Sequence, residues 1–370
     1  MAMAANIQYS SVPLPMYGHV AVTWKNATIV WGGTMPGEEL GATMQGLQVK
    51  ATVCKHLKGK WTKIQTSGNI PGWQFHEAQV LNDKMFVLVA NNDGDANLHS
   101  LDLHTWIWTM LTPSGAQPSK TYSAKSWIFG GKIYFFGGGS LEQEFDQLFC
   151  YNASTNSWEW PDMRGNIPNR RRGHLMIISD DTVFLYGGVG EKNQFTCHND
   201  LYVLDMASAM WTKVHGNMST AEGPMSSWSL GKYTFTRISQ SSALVYGSFD
   251  EYGPHKVVED CWLLNLHNAK QLMEPSLIWT KMKSLPPRAF HAAVLQPLSK
   301  RLWVIGGLNG KPYLPSNLLK IDFRKLLPLK DLALAKVAYN TYDHDPRLAQ
   351  DQLPERIRNE IDAYRYETGL

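Results

Sequence analysis

The chain has few cysteines, few charges and no long apolar run. Its four cysteines, Cys54, Cys150, Cys197 and Cys261, lie far apart, with no Cys-x-x-Cys and no His pair at zinc spacing. That pattern argues against a structural metal site and for free thiols. No stretch approaches 18 consecutive apolar residues, so a membrane span is not expected. The opening "MAMAANIQYSS" has neither the basic segment nor the apolar core of a secretory signal, so a cytoplasmic or nuclear location is expected. Charged residues make up 18%, and the formal charge of +3 is small and scattered, which does not suit a nucleic-acid binder. Gly-x-Ser-x-Gly, a phosphate loop and His-Glu-x-x-His are all missing, so no catalytic framework is expected.

What is plentiful is apolar and aromatic. Apolar residues reach 44%, with 14 Trp, 15 Tyr and 13 Phe, enough for a large core and weighted toward strands. The 370 residues are long for one ordinary domain and short for three. Apolar runs ending in Gly-Gly recur as "TIVWGG", "KIYFFGG", "TVFLYGG" and "RLWVIGG", with degenerate copies "MFVLVAN" and "ALVYGS" between them. Their turning points fall at 32, 90, 137, 187, 247 and 306. Upstream of the pairs come His19, His76, His174 and His291, each leading an apolar alternation. Downstream come Trp61, Trp108, Trp158, Trp211 and Trp279. Each copy reads as four short strands. Glycine permits the positive-φ turn where backbones approach closely, and the tryptophans are expected to pack between neighbouring sheets.

This arrangement resembles the kelch repeat, whose period is about 50 residues. The resemblance implies an all-β fold, a six-bladed β-propeller spanning residues 1–324. The last copy has a third strand, "NLLKIDF", but no fourth with a Trp. A segment at about residues 6–12, "NIQYSSV", is therefore expected to complete it and close the ring.

After Arg324 the apolar period changes to 3.6: Leu329, Leu332, Ala333, Val337 and Ala338 share one helical face. A second helix is expected from Pro354, with Ile357 and Ile361 on one face. The segment "PLKDLALAKV" resembles the BC box that docks on Elongin C, with Leu329, Ala333 and Val337 at the contact places. "LPERI", with Leu353, Pro354 and Ile357, resembles the start of a cullin-selecting box. The layout as a whole is similar to the kelch-domain-containing substrate receptors of Elongin–Cullin ubiquitin ligases. That resemblance implies Elongin B/C and a cullin as partners and a protein or peptide as substrate. It implies no cofactor and no catalysis by the chain itself. The alternative is a kelch scaffold without a ligase link, whose tail only caps the ring.

In such a ring the loops before the His-containing strand and after Gly-Gly surround a bowl. They carry Trp73, Lys120, Tyr122, Lys125, Arg170, Arg171, Arg172, Lys192, Trp228, Lys232, Tyr233, Arg288 and Phe290, a mixture of basic and aromatic residues. Arg and Lys suit a peptide carboxylate, and aromatics suit its backbone. The similar receptors that read glycine-ended peptides carry arginines in the loop after the fourth Gly-Gly. Here that loop, "VGEKNQF", offers Lys192 alone, so the bound terminus is left open. A separate alternative is an iron site on Glu142, Asp146 and Cys150, at the spacing of plant nitrile-specifier proteins. Asp146 also fills the recurrent place of Asp200 and Asp260, which explains it without a metal.

Overall fold

The computed structural model describes residues 17–322, apart from 26, 35–52, 58–59, 72–76, 91–95, 120, 141, 191–195, 199, 215–233, 239–241, 248–260, 268–275, 283–284, 296–300 and 309–318. The first blade is β1 (Tyr17–Trp24), β2 (Ala27–Thr34), β3 (Val53–Leu57) and β4 (Lys60–Ile64). After β5 (Ser67–Gly68), the second is β6 (Ala78–Leu81), β7 (Lys84–Ala90), β8 (Ala96–Asp102) and β9 (Ile107–Met110). The third is β10 (Lys125–Phe129), β11 (Lys132–Phe136), β12 (Leu148–Asn152) and β13 (Ser157–Glu159). Then come β14 (Arg164–Gly165) and the fourth blade: β15 (Leu175–Ser179), β16 (Thr182–Tyr186), the small ribbon β17 (Val189–Gly190) and β18 (Thr196–Cys197), β19 (Leu201–Asp205) and β20 (Met210–Lys213). The fifth is β21 (Thr234–Arg237), β22 (Ser242–Tyr246), β23 (Cys261–His267) and β24 (Ser276–Lys281). A three-stranded sheet follows: β25 (Ala292–Leu295), β26 (Arg301–Ile305) and β27 (Leu319–Asp322).

Within each blade the principal strands pair antiparallel in chain order. The all-β kelch propeller is therefore present. The expected count differs: five sheets have four or more strands, and no helix occurs among the described residues. The closing segment 6–12 and the helices of 325–370 lie outside the described residues. The three-stranded sheet fills the arc between the fifth and first blades. Thr23 Oγ1 donates to Leu295 O at 3.3 Å, and Gly18 N to Phe290 O at 2.8 Å. On the other side, Leu302, Val304 and Leu319 share a core with Leu244 and Leu263 of the fifth blade.

The blades are welded by a repeated aromatic contact. The residue before Gly-Gly in one blade meets the fourth-strand Trp of the next: Trp31 with Trp108 (5.1 Å), Phe136 with Trp211 (5.1 Å) and Tyr186 with Trp279 (5.4 Å). Glycine then sets how closely the blades approach. A Cβ on Gly137 would lie 2.7 Å from Arg171 O and 2.9 Å from the His174 ring of the following blade. A Cβ on Gly247 would meet the His291 ring at 2.7 Å. The second glycine of the pair faces the same histidine from its own sheet, Gly188 at 2.9 Å from His174 Cβ and Gly307 at 2.8 Å from His291 Cβ. The repeated histidine is thus a wedge between blades.

A second repeat lies in "SGNIP", "SGAQP" and "RGNIP", which the Gly-Gly phasing conceals. These linkers run along the outer edge of the blade they lead into. β5 pairs parallel with β9 and β14 with β20, and Ser114 bridges Ser157. Gly68, Gly115 and Gly165 take positive φ (87°, 88° and 76°) where the chain crosses the carbonyl of Trp108, Trp158 or Trp211. A covered outer edge removes a template for pairing with other chains.

His19, His174 and His291 are buried, which favours the neutral ring. Burial brings His19 down to about 4. His174 falls well below the ordinary value through burial and the charges of Lys125 and Arg171. His291 does so through burial, Arg288 and His19. Unfolded, these rings take up protons as pH falls through 6.5; folded, His19 does not until about pH 4, and His174 and His291 likewise stay neutral well below the ordinary value. Stability is therefore complete above pH 6.5 and falls as pH drops through that window. The slope is up to about 1.4 kcal/mol per pH unit for each ring, about 4 for the three. Urea unfolding across that range measures it. His174→Gln should remove about one third of the slope, and a flat profile would contradict the seam assignment.

Candidate functional site

Antiparallel pairing in chain order puts the second-to-third-strand connections and the inter-blade linkers at one end of every blade. The hairpin turns lie at the other. The described ones among the sequence-predicted bowl residues, Tyr122, Lys125, Arg170, Arg171, Arg172, Arg288 and Phe290, lie at the loop end or at the strand starts beside it. Trp73, Lys120, Lys192, Trp228, Lys232 and Tyr233 fall outside the described residues, as do Leu329, Ala333, Val337, Leu353, Pro354 and Ile357 of the tail.

The described loop-end residues follow a local rule. Three positions before the histidine, or its counterpart Ala124, a side chain donates to the carbonyl of the first glycine of the blade's own pair. Thr121 Oγ1 reaches Gly137 O at 3.2 Å, Arg171 Nη1 reaches Gly187 O at 2.9 Å, and Arg288 Nη1 reaches Gly306 O at 2.6 Å. The next residue forms a two-way backbone bridge: Tyr122 with Gly139, Arg172 with Val189, Ala289 with Leu308. The residue after that takes positive φ, as in Ser123 (57°), Gly173 (63°) and Phe290 (56°). This kink turns the chain into the first strand. Arg171 and Arg288 are accordingly buried parts of the ring, and Phe290 supplies a kinked backbone whose carbonyl accepts from Gly18.

The arginine run alternates across the seam between the third and fourth blades. Arg171 points into its own blade. Nη1 and Nη2 grip Asp200 at 2.7 and 3.3 Å, Nε donates to Asn169 O at 2.9 Å, and the guanidinium lies 5.2 Å over Tyr202. Arg170 and Arg172 point back to the third blade's loop. Arg172 Nε pairs with Glu144 at 3.5 Å; Arg170 Nε lies 3.9 Å from Asp146, and its Nη1 donates to Gln143 at 3.2 Å. Lys125 pairs with Glu77 at 2.6 Å, tying the third blade to the second.

Lys125, Arg170, Arg171 and Arg172 of the expected basic bowl therefore each have an acid beside them, and the loop end is charge-balanced there. Burial alone would raise Asp200, but the Arg171 hydrogen bonds and charge outweigh it and hold the carboxyl below the ordinary range. The acids were only partly legible beforehand. Asp200 directly precedes the third strand of its blade, but in the third blade Gln147 takes that place and Asp146 stands one residue earlier; Glu77 and Glu144 carry no repeat signal. Arg170 stands apart: its side chain is 59% exposed and its ion pair is long. Half-buried Tyr122 belongs to the same loop end.

The iron alternative does not assemble. Asp146 goes to Arg170, while the Cys150 thiol lies 4.0 Å from Glu159 and burial raises it to about 11. Among the described residues no three His, Cys, Asp or Glu side chains converge as a metal site. Among them, too, no helix is long and apolar enough to cross a membrane.

Comparison with known proteins agrees with this geometry. The family described as the KLHDC2/KLHL20/DRC7 Kelch-repeats domain matches residues 18–230. Acyl-CoA-binding domain-containing protein 4 of Arabidopsis thaliana is 26% identical over 68% of this chain and 37% of its own. Kelch domain-containing protein 3 of Bos taurus is 25% identical over 56% of this chain and 72% of its own. Kelch domain-containing protein 10 of Rattus norvegicus is 27% identical over 52% and 48%. The chain thus spans about a third of the plant relative's length and about half of the rat one's. The solved structure of YjhT superposes with a TM-score of 0.57 at 16% identity, covering 83% of this chain and 94% of that one, a likeness of fold.

Removing the Arg171 guanidinium leaves Asp200 largely desolvated, with only the long 3.9 Å pair to Lys213. Arg171→Ala should cost about 3–5 kcal/mol of stability, and Arg170→Ala less than about 0.5. Chemical denaturation compares the two, and equal effects would contradict the structural role of Arg171.

Proposed function

The chain belongs to the KLHDC2/KLHL20/DRC7 Kelch-repeats domain family, and from that premise we propose that it is a substrate-recognition subunit of a cullin-RING ubiquitin ligase. Kelch propellers are protein-interaction modules. In this reading the ring holds a protein or peptide segment at its loop end, and the tail delivers it. Leu329, Ala333 and Val337 dock Elongin C, and Leu353, Pro354 and Ile357 select the cullin. Ubiquitin transfer belongs to the partner subunits, in the cytoplasm or nucleus. The three-stranded sheet counts as a sixth blade, completed by residues 6–12.

The observation that carries the recognition half is the division of labour in the arginine run. Arg171 and Arg172 are tied closely to acids of the ring, and Arg171 has no exposed surface. Arg170 keeps an exposed guanidinium whose acid lies at 3.9 Å. An incoming carboxylate can replace so loose a partner at little cost, because a long surface pair contributes about 0–1 kcal/mol. A two-point grip on a carboxylate is then open to Arg170. Tyr122, with the expected Trp73, Lys120, Lys192, Trp228, Lys232 and Tyr233, completes the wall in this reading. Lys125, Arg171, Arg172, Arg288 and Phe290 shape it from behind. The delivery half rests on the tail sequence.

Two measurements separate the halves. A screen of peptide libraries against the purified chain should return a preferred carboxylate-bearing segment, and Arg170→Ala should weaken it about tenfold, or 1.4 kcal/mol. Co-purification with Elongin B/C should succeed for the wild type and fail for Leu329→Asp. If both proteins co-purify alike, or neither does, the chain is a kelch scaffold without a ligase link.

A further inference from the structure

The hairpin end of the ring has a feature of its own at the first two blades. Three turns meet there, and the two blades share one core built on Trp24, Trp31, Met85 and Trp108. They carry Lys25, Asp83 and Lys84, and His104 to Trp106; Lys60 opens β4 at the same end. Trp24 lies at the centre. Its Nε1 donates to Asp83 at 2.6 Å, and Trp106 meets it edge-on at 6.1 Å. The Lys25 ammonium stands 4.9 Å over its ring. The Lys55 ammonium lies over both tryptophans, 5.0 Å from Trp24 and 5.6 Å from Trp106. Both ammonium groups thus lie against the Trp24 ring, and that of Lys55 also against Trp106.

The repeat supplies an internal control. Trp106 precedes the fourth strand and takes φ of 61°; the equivalent residues of the third and fourth blades are Asn156 (49°) and Ala209 (52°). Asn is enriched at positive φ, whereas a bulky side chain there is a genuine outlier. Trp106 keeps that conformation while packing on the core of the two blades, and its half-buried ring leaves an apolar surface beside Trp24. The charges are also unbalanced. Lys25, Lys55, Lys60 and Lys84 face two carboxylates among the described residues of this end. Asp83 is shared between Trp24, His104 (3.2 Å) and Lys25 (3.5 Å). Asp102 accepts from His104 N and Thr105 N of its own turn, at 2.9 and 2.8 Å. This contrasts with the loop end, where Lys125, Arg170, Arg171 and Arg172 each have an acid of their own. Lys25 is 59% exposed and Lys60 and Lys84 are exposed, so the surplus faces solvent.

We propose that this hairpin-end cluster of the first two blades docks an acidic polypeptide segment. Glu or Asp carboxylates would pair with Lys25 and Lys55, which the tryptophan rings hold in place. The aliphatic stems of the segment would lie across the exposed edge of Trp106. Prior placement of the two ammonium groups lowers the entropy cost of an ion pair. Peptide carboxylates fit better than a nucleic-acid backbone, because the cluster is lysine without arginine, lies in a local patch, and includes acids that would repel a continuous phosphate chain. The site is separate from the loop end and does not depend on what that end binds.

The test uses the full chain and a fluorescein-labelled oligoglutamate peptide, read by anisotropy at low and physiological ionic strength. The wild type should bind, more weakly as salt rises. The double variant Lys25→Gln, Lys55→Gln should bind at least about tenfold more weakly, with its urea midpoint unchanged. Lys60→Gln should give a smaller loss. No binding by the wild type, or equal binding by the double variant, would overturn the proposal. So would tighter capture of a single-stranded RNA of equal charge through the same lysines.

Discussion

A side chain at Gly137 would overlap both the Arg171 carbonyl and the His174 ring, at 2.7 and 2.9 Å. That close approach of one blade to the next recurs at Gly247 against His291. Much else follows from it. The glycine must take a positive φ, 66° at Gly137 and 73° at Gly247, so the second strand ends there and turns. The following histidine is enclosed and stays neutral. The residue just before the glycine is aimed at the next blade's tryptophan, which gives the aromatic welds around the ring. Neither contact stabilises an isolated blade. Both act between blades, so the ring is the unit that folds.

The same seam explains why a run of arginines sits where ligands are expected. At a loop end built from backbone turns, carbonyl groups accumulate and need donors. Thr121, Arg171 and Arg288 supply them from equivalent places. Arg171 then requires Asp200, and the neighbours Arg170 and Arg172 find acids across the seam. In the proposed function, recognition uses what that scaffolding leaves over: Arg170 among the described loop-end residues and, in the proposal for the hairpin end, the lysine pair on Trp24 and Trp106.

The Gly-Gly, His and Trp phasing was legible because each copy repeats the same interblade contact, so chance resemblance averages out. The strand order and the aromatic seams followed from it. The outer linker strands were less visible: "SGNIP" and "RGNIP" are short, and their meaning lies in Trp108 and Trp211, some 40 residues away. The bowl was legible by location but not by state. Residue type shows that Lys125 and Arg172 are cations; only geometry shows that Glu77 and Glu144 already face them. The count of six blades rested on six turning points, at 32, 90, 137, 187, 247 and 306, the last followed by a third strand without a fourth. Among the described residues that sheet has three strands beside five fuller blades.

Closeness between blades, beyond backbone conformation, makes these glycines indispensable. Gly130 offers the control: it has a similar φ of 55° in a hairpin turn, and a Cβ placed there would meet nothing within 4 Å. Gly130→Ala bears the cost of a left-handed alanine alone, about 1–2 kcal/mol. Gly137→Ala bears that cost plus displacement of His174 and the Arg171 backbone. Urea unfolding of the two variants should place Gly137→Ala well below Gly130→Ala, by about 2 kcal/mol or more. Equal losses would contradict the claim.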